Sequence, residues 1–366
     1  MELYKIAASK LHGIGIQTIK QLHERIGSLN ILFEEDISVL AKRYEVSKKR
    51  LVQMNRKHAI AEAQKQLEFN KKFSIQTLFF DDIKYPDLLK ECSDAPITLY
   101  YKGNKQIQGR LVSVVGTRRA SSYGKQMVEK LISSFENQEV IIISGLACGI
   151  DSFVHECCLK HNIQTIGVLG HGLNTIYPKI NRNLAGKMTT NGGLLTECGI
   201  DHQITKYSFP KRNRIIAGMS HATIVIESPK HGGAIITAEI ANGYHRDVMA
   251  VPGSVFSNSS EGCNELIKKN KAHLLENTAD FFELMNWKKT SKNNESKIQL
   301  TQNESVIVNL LNREDGVHFD MLVALSKFSV SQLHELILSL ELRQIIRALP
   351  GSIFKLDQHI TQSDMV

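Results

Sequence analysis

Residues 111–124 read LVSVVGTRRASSYG and give the strongest indication of the fold. A run of apolar and small residues leads into a glycine turn and then into a segment that suits a helix start, as expected where a buried strand passes into a helix. Comparable β-branched runs follow at Val140 to Ile143, Thr165 to Leu169 and Ala222 to Ile226, each separated by enough residues for a helix. This alternation predicts an α/β fold with a parallel sheet covered by helices on both faces.

The first 285 residues divide into two predicted domains. In residues 1–70 the apolar side chains recur at helical spacing, as in the helix predicted from Ile16 to Ile26, which Gly27 is placed to end. This segment is predicted to be a small helical domain. Residues 71–285 are assigned to the sheet domain, and within them Ile97 to Tyr101 is interpreted as an edge strand of the main sheet.

The C-terminal part of the chain begins after a polar segment. Residues 286–299 are basic and nearly without apolar residues, so they predict a flexible linker. Residues 300–366 contain three short helical patterns and then two strands around a Pro350-Gly351 turn, which together predict a winged helix. The three helices are predicted near residues 303–312, 319–326 and 330–342.

Composition and charge narrow the class of protein. The 366 residues are 42% hydrophobic and 22% charged, which argues against disorder, collagen-like repeats and a fibrous coiled coil. The formal net charge of +8 favours a polyanionic partner. Six scattered cysteines without a CxxC pair indicate a reducing compartment. Because no leader segment and no long apolar run occur, the sequence predicts a cytoplasmic protein without a membrane segment.

Glycine turns after the predicted strands are candidate anion sites. A helix that starts after such a turn presents free backbone amides to a phosphate, and guanidinium groups match phosphate oxygens. The candidate residues of these turns are Gly116, Arg118, Arg119, Gly145, Gly232 and Gly233. The GxGxxG pattern is absent, so nicotinamide binding and hydride transfer are not expected.

Residues 206–214 read KYSFPKRNR and combine four basic side chains with two aromatic rings and no acid. Cations suit a phosphate backbone and aromatic rings stack exposed bases, which is what a single-stranded nucleic acid requires. The segment lies at the start of a predicted helix, a favourable place for phosphate. The candidate DNA-binding residues are Lys211, Arg212, Asn213 and Arg214, with Tyr207 and Phe209 as candidate stacking rings.

Three other features leave alternatives open. Leu11 to Gly15 resembles the turn of a helix-hairpin-helix element, which either contacts phosphate or only packs the domain. Gly232 to Glu239 resembles a loop of nucleotide-cleaving hydrolases, so a hydrolase that uses Glu239 is the alternative function. Asp151 and His155 are four residues apart and predict a local pair rather than a metal site, and Cys148 is interpreted as a small buried thiol.

Four segments together resemble the DNA-processing protein A (DprA/Smf) family. They are residues 113–124 (SVVGTRRASSYG), 144–151 (SGLACGID), 209–218 (FPKRNRIIAG) and 232–238 (GGAIITA), and the resemblance spans about residues 75–275. It implies an extended Rossmann-like parallel sheet core. It also agrees with an N-terminal helical domain of the helix-hairpin-helix or SAM-like kind and with a C-terminal winged-helix domain.

The resemblance also implies a function. A member of the family is expected to be a cytoplasmic homodimer that binds and protects incoming single-stranded DNA during natural transformation and helps to load the RecA recombinase onto it. No catalysis is implied, and no cofactor or metal is expected. Arg118 corresponds to the arginine of the family's turn, and Lys211, Arg212 and Arg214 fall in its Arg-Asn-Arg segment. Asn174 and Gly232 stand where many members have Asp and Ser, without altering the basic pocket.

The winged helix is interpreted as a protein-contact or regulatory unit. Its predicted recognition helix, residues 329–342, contains Glu335 and Glu341 but no lysine or arginine, so it offers little to a phosphate backbone. A third alternative is an assembly adaptor whose positive charge is incidental. Such an adaptor would contact RecA without contacting DNA.

Overall fold

The structure is a computed structural model, and it describes residues 1–287, 300–311, 316–343 and 345–356. The chain forms two compact units, Met1–Lys289 and Thr290–Val366. Of the predicted linker, residues 288–299 lie outside the described residues. The finer boundary at residue 70 stays a prediction, since the helical segment belongs to the first unit.

The N-terminal segment of the first unit is helical, as predicted. Its helices are α1 (Glu2–Ala8), α2 (Ile16–Ile26), α3 (Leu29–Glu34), α4 (Ile37–Arg43), α5 (Lys48–Gln53) and α6 (Arg56–Lys72). Helix α2 ends at Gly27, whose φ of 75° is left-handed, which confirms the predicted stop. The Thr98 hydroxyl donates to the Lys5 carbonyl at 3.0 Å, so α1 is hydrogen-bonded to the part of the chain that forms the sheet.

Within the described part of the first unit, nine strands form one sheet. They are β1 (Gln76–Phe79), β2 (Thr98–Gly103), β3 (Arg110–Val115), β4 (Val140–Ser144), β5 (Thr165–Val168), β6 (Gly192–Thr196), β7 (Ala222–Val225), β8 (Asp247–Ala250) and β9 (His273–Leu274). Their order is β1-β2-β6-β5-β4-β3-β7-β8-β9. All neighbours from β6 to β9 are parallel, which confirms the predicted parallel sheet, and β1 and β2 are antiparallel additions.

The segment from Ile97 to Tyr101 is not an edge strand, so that prediction is wrong. Strand β2 pairs with β1 on one side and with β6 on the other, and β1 forms the edge. The Tyr101 hydroxyl lies 2.8 Å from the carbonyl oxygens of both Lys105 and Gly192, so its one hydrogen has two acceptors within reach, and its ring is buried. A four-residue strand such as β1 is too short to show a clear alternation of apolar and polar residues. Because β1 was not predicted, β2 was assigned to the edge of the sheet.

Helices cover both faces of the sheet. Along β3, Leu111 and Val115 join the apolar cluster on one face and Val112 and Val114 join the cluster on the other, which is the two-residue period of a strand. The helices of this part are α7 (Asp87–Lys90), α8 (Ser122–Ser134), α9 (Ile150–Lys160), α10 (Arg182–Met188), α11 (Ser208–Gly218), α12 (Gly233–Gly243), α13 (Glu261–Lys268) and α14 (Thr278–Leu284). Buried residues of α11, α12 and α13 lie on the first face, and those of α8, α9 and α14 on the second.

The direction of winding reverses between β3 and β7. From β3 the chain moves outward through β4, β5 and β6, and it then returns to place β7 on the other side of β3. Loops that leave neighbouring strands in opposite directions open a crevice at their carboxyl ends, where open α/β sheets bind ligands.

The second unit has the predicted order of three helices and a hairpin. Its elements are α15 (Gln302–Leu311), β10 (Val317–His318), α16 (Phe319–Ser326), α17 (Val330–Leu342), β11 (Ile346–Leu349) and β12 (Ile353–Leu356). In its sheet, β12 lies between β10 and β11. No single helix of the described residues is long and apolar enough to cross a membrane, although α16 and α17, bent by 113°, meet that length and composition together.

Candidate nucleic-acid interface

A cavity of about 550 Å³ lies at the carboxyl ends of β3, β4 and β7, where the winding reverses. Most of the candidate residues line it, namely Gly116, Arg118, Arg119, Phe209, Arg212, Asn213, Gly232 and Gly233. Asp151 and Lys206 line it as well. The sequence segments that were singled out separately therefore meet at one site.

The turn after β3 is fixed by close backbone packing against the turn before α9. The Thr117 amide donates to the Glu227 carbonyl at 2.7 Å, and the Ile150 amide donates to the Thr117 carbonyl at 3.0 Å. A Cβ on Gly116 would lie 2.6 Å from Ile150, and a Cβ on Gly149, whose φ is +86°, would lie 2.3 Å from the Thr117 carbonyl oxygen. These two glycines allow the two loops to approach each other and set the position of the arginines that follow.

Arg118 and Phe209 place a cation and an aromatic ring side by side at the cavity. Arg118 is exposed, and its guanidinium carbon lies 5.6 Å from the centre of the Phe209 ring. Phe209 is half-buried, and its ring centre lies 5.7 Å from that of Tyr177. Stacking on an aromatic face limits the motion of a guanidinium group and leaves its edge free for phosphate.

Arg212 lies below the surface of the cavity rather than in solvent. Its Nη1 donates to the Val168 carbonyl at 2.8 Å, and the side chain is buried. A Cβ on Gly145 would lie 1.9 Å from that nitrogen, so Gly145 makes room for the guanidinium and does not line the cavity. Burial lowers the pKa of Arg212 and raises the pKa of Asp151, and the charge of each group opposes the shift of the other. Both side chains are buried beneath the site, and the Val168 carbonyl holds the Arg212 guanidinium.

Arg214, Lys211 and Tyr207 do not line the cavity. Arg214 is buried, and it donates to the Glu197 carboxylate at 2.6 Å and to the Asp94 carbonyl. The ammonium group of Lys211 is exposed and lies 3.6 Å from the same Glu197 carboxylate.

Helical geometry explains this separation. Phe209, Arg212, Asn213 and Ile216 repeat every three or four residues and share the face of α11 that borders the cavity. Tyr207 precedes that helix and is 70% exposed.

The first turn of α12 offers backbone donors to the cavity. Gly232 is its N-cap and makes no side-chain capping bond, so the first amides of this 11-residue helix are left for a ligand. A Cβ on Gly233 would meet nothing within 4 Å, which shows that the backbone there is open to approach.

The buried carboxylate of Glu227 was missed from the sequence. It accepts from the Ser121 amide at 3.0 Å, from the Ser121 hydroxyl at 2.6 Å and from the Ser259 hydroxyl at 3.1 Å. It thereby ties the end of β7 to the start of α8, directly after the two arginines. The sequence feature that could have indicated its role is a single acidic residue directly after an apolar strand.

Two interpretations of individual residues are wrong. Asp151 accepts from the Ala147 amide at 3.4 Å and does not pair with His155, whose Nδ1 lies 2.7 Å from the Thr165 hydroxyl. Burial lowers the pKa of His155 to about 3, so it is neutral. Cys148 is exposed rather than buried because it lies in the loop at the tip of β4. Among the described residues, no group of His, Cys, Asp or Glu side chains could hold a metal ion.

Glu239, on which the hydrolase alternative depends, lies elsewhere. It is on α12 but does not line the cavity, and its carboxylate lies 3.2 Å from the Lys271 ammonium. The carboxylate that does line the described part of the cavity, Asp151, is buried.

The doubly wound sheet defines a Rossmann-like α/β protein, and the cationic cavity at its switch point is a candidate site for an anionic ligand. Residues 76–286 match the family described as DNA recombination-mediator protein A, and residues 291–352 match the DprA winged helix domain. The chain belongs to the DNA-processing protein A (DprA/Smf) family, as its motifs indicated.

Individual relatives agree with this assignment. The chain is 38% identical over 270 residues to DNA processing protein DprA of Streptococcus pneumoniae. The aligned region covers 73% of this chain and 92% of that protein. The X-ray structure of that species' DprA matches with a TM-score of 0.65 at 34% identity, over 77% of this chain and 98% of the other. A structure of Helicobacter pylori DprA matches with a TM-score of 0.53 at 29% identity, over 58% of this chain and 96% of the other. That structure describes the single-stranded DNA binding mode of the Helicobacter pylori protein.

Proposed function

We propose that the chain binds single-stranded DNA in the cavity at the switch point and catalyses no reaction on it. The observation that carries the proposal is the exposed Arg118 guanidinium stacked on Phe209, beside the open amides of α12. The cation and the amides suit phosphates, and the ring suits an unpaired base. Duplex DNA is expected to bind the cavity less well, since its paired bases cannot reach the ring.

The finer role follows from the family. We propose that two copies of the chain act together on one incoming strand, protect it and deliver it to the RecA recombinase. Membership of a family described as a recombination mediator supports this role. Two cavities on one strand would raise the apparent affinity, because the second binding event becomes intramolecular.

The position of Glu239 disfavours the hydrolase alternative. A general acid or base must reach the bond that breaks, and Glu239 is paired with Lys271 outside the cavity. Asp151 is buried and accepts a hydrogen bond from a backbone amide, which leaves it poorly placed to exchange protons with a ligand.

The test is fluorescence anisotropy with a labelled single strand and its duplex, titrated across salt concentrations. Arg118→Ala should weaken single-strand binding and flatten its salt dependence by about one unit of slope, since one phosphate contact is lost. Lys130→Ala is the control, because Lys130 is exposed on α8 and does not line the cavity. An unchanged slope for Arg118→Ala would exclude this site. Release of free base from nucleoside monophosphates would instead favour the hydrolase.

A further inference from the structure

The helical N-terminal segment contains a strongly basic stretch. Residues 42–58 hold seven lysines and arginines against one glutamate, whereas the whole chain has a formal net charge of +8. Arg56 is used internally, since it donates to the carbonyls of Leu32 and Glu35 at 2.8 Å each, and Arg43 lies 3.5 Å from the Glu35 carboxylate. The remaining cations are exposed and form no ion pair with a described residue; they are Lys42, Lys48, Lys49, Arg50 and Lys57.

The glycine hairpin before α2 lies against this basic segment. The His12 amide donates to the Met54 carbonyl at 3.4 Å, and the His12 ring centre lies 5.7 Å from that of His58. Gly13 has a φ of +67°, and a Cβ there would lie 3.5 Å from the Gln53 side chain. The hairpin is therefore in contact with both the end of α5 and the start of α6.

Three of the unpaired cations flank the hairpin. Lys49 and Arg50 precede Gln53 by four and three residues on α5, so they share the helix face that meets Gly13. Lys57 lies in the first turn of α6, next to His58. We call His12 to Gly15 together with Lys49, Arg50 and Lys57 the hairpin surface.

The hairpin surface also presents backbone donors. Helix α2 has Gly15 as its N-cap and α6 has Asn55, and neither N-cap makes a side-chain capping bond. The first amides of these 11-residue and 17-residue helices therefore lack side-chain partners. A Cβ on Gly15 would meet nothing within 4 Å, so an anion can approach the backbone there.

The hairpin surface differs from the cavity in one respect that identifies its ligand. The cavity pairs a cation with Phe209, whereas the hairpin surface offers cations, the His12 imidazole and amides but no phenyl or indole ring on which a base could stack. It therefore suits a ligand whose phosphates face outward and whose bases are turned inward. That ligand is a nucleic acid duplex, contacted through its backbone and without reading of its sequence.

We propose that the hairpin surface is a second DNA-binding site, which holds the phosphate backbone of duplex DNA. It shares no residue with the cavity. The chain could then hold a single strand in the cavity and a neighbouring duplex on the hairpin surface, which is the pair of substrates that meet when a strand is exchanged into a duplex.

The test uses the full chain and measures duplex and single-strand binding separately, across salt concentrations. In the double variant Arg50→Ala, Lys57→Ala, the salt slope for duplex binding should fall by about two units, with about tenfold weaker duplex binding at low salt. Single-strand affinity should not change. The control is Lys130→Ala, Lys187→Ala, which removes the same charge from exposed positions on α8 and α10.

Each other outcome overturns the proposal in its own way. An unchanged duplex slope in the Arg50, Lys57 variant would show that these cations do not contact phosphate. An equal loss in the control variant would assign the effect to overall charge. Equal loss of single-strand and duplex binding would make the hairpin surface part of the single-strand path. Loss of single-strand binding by Arg118→Ala is measured independently, so failure of the cavity proposal is distinguishable from failure of this one.

Discussion

Neighbouring basic residues of α11 have different roles because of the direction in which each one points. Arg212 is buried against the Val168 carbonyl and Arg214 is paired with Glu197, whereas Lys211 reaches solvent. The sequence shows all three as one basic cluster. Their separation depends on the phase of the helix against the sheet and on Glu197, which lies far enough away in sequence that no local pattern connects it to them.

We predict that Arg214 acts on stability rather than directly on DNA. The Arg214 and Glu197 side chains are 10% and 13% exposed, so Arg214→Ala removes the buried partner of a largely buried carboxylate and leaves it only the exposed Lys211. The free energy of unfolding should fall by about 3–5 kcal/mol, as measured by denaturant titration. Lys211→Ala, its exposed neighbour, should change stability by less than about 0.5 kcal/mol. An Arg214→Ala variant of full stability that has lost DNA binding would contradict this prediction.

At the scale of elements, the candidate site depends on how closely two loops pack. Gly149 combines a left-handed φ with a backbone contact that leaves no room for a Cβ. We predict that Gly149→Ala lowers the free energy of unfolding by about 2 kcal/mol or more, because it adds backbone strain and displaces the Thr117–Arg118 turn. The affinity for single-stranded DNA should also fall, because the displaced turn carries Arg118.

Gly186 provides the matched control for that substitution. It lies within α10, and a Cβ there would meet nothing within 4 Å. Gly186→Ala should raise the free energy of unfolding by about 0.5–1 kcal/mol, because alanine is the better helix former. Thermal melting and anisotropy on both variants check the prediction, and equal effects at the two positions would refute it.

The elements that sequence alone predicts are those with a strong local pattern. The four β-branched strands are buried on both faces, so their sequences are nearly continuous in apolar residues, and the helices of the second unit match their predicted spans closely. Strands β1 and β9 are four and two residues long and carry no such pattern. Their places come from pairing with other strands, and β2 lies inside the sheet because β1 pairs with its outer side.

At the scale of the whole molecule, all of the cavity residues belong to the first unit. We predict that a chain ending at Trp287 binds single-stranded DNA as tightly as the full chain does, because α17 carries no lysine or arginine. Anisotropy with one oligonucleotide at matched salt compares the two chains. A substantially weaker truncated chain would place the second unit on the DNA path.

The exposed apolar side chains of α17 agree with the protein-contact role predicted for the second unit. Val330, Leu338 and Leu342 are each more than half exposed, and such side chains favour a protein surface over a phosphate backbone. The identity of that partner stays a prediction. The sequence indicated this role because α17 has no lysine or arginine. The structure adds which of its apolar side chains are exposed for such a contact.

The reversal of winding between β3 and β7 has a consequence for the order of events during synthesis. Leu111 and His221, which are hydrogen-bonded across that junction, are 110 residues apart in the chain. While β4, β5 and β6 are being added, the opposite edge of β3 has no strand beside it, and the crevice has only one wall. We therefore expect a growing chain to complete the proposed single-strand site only after β7 and the start of α12 have left the ribosome. A nascent fragment that already has most of its sheet should not yet retain single-stranded DNA in the cavity.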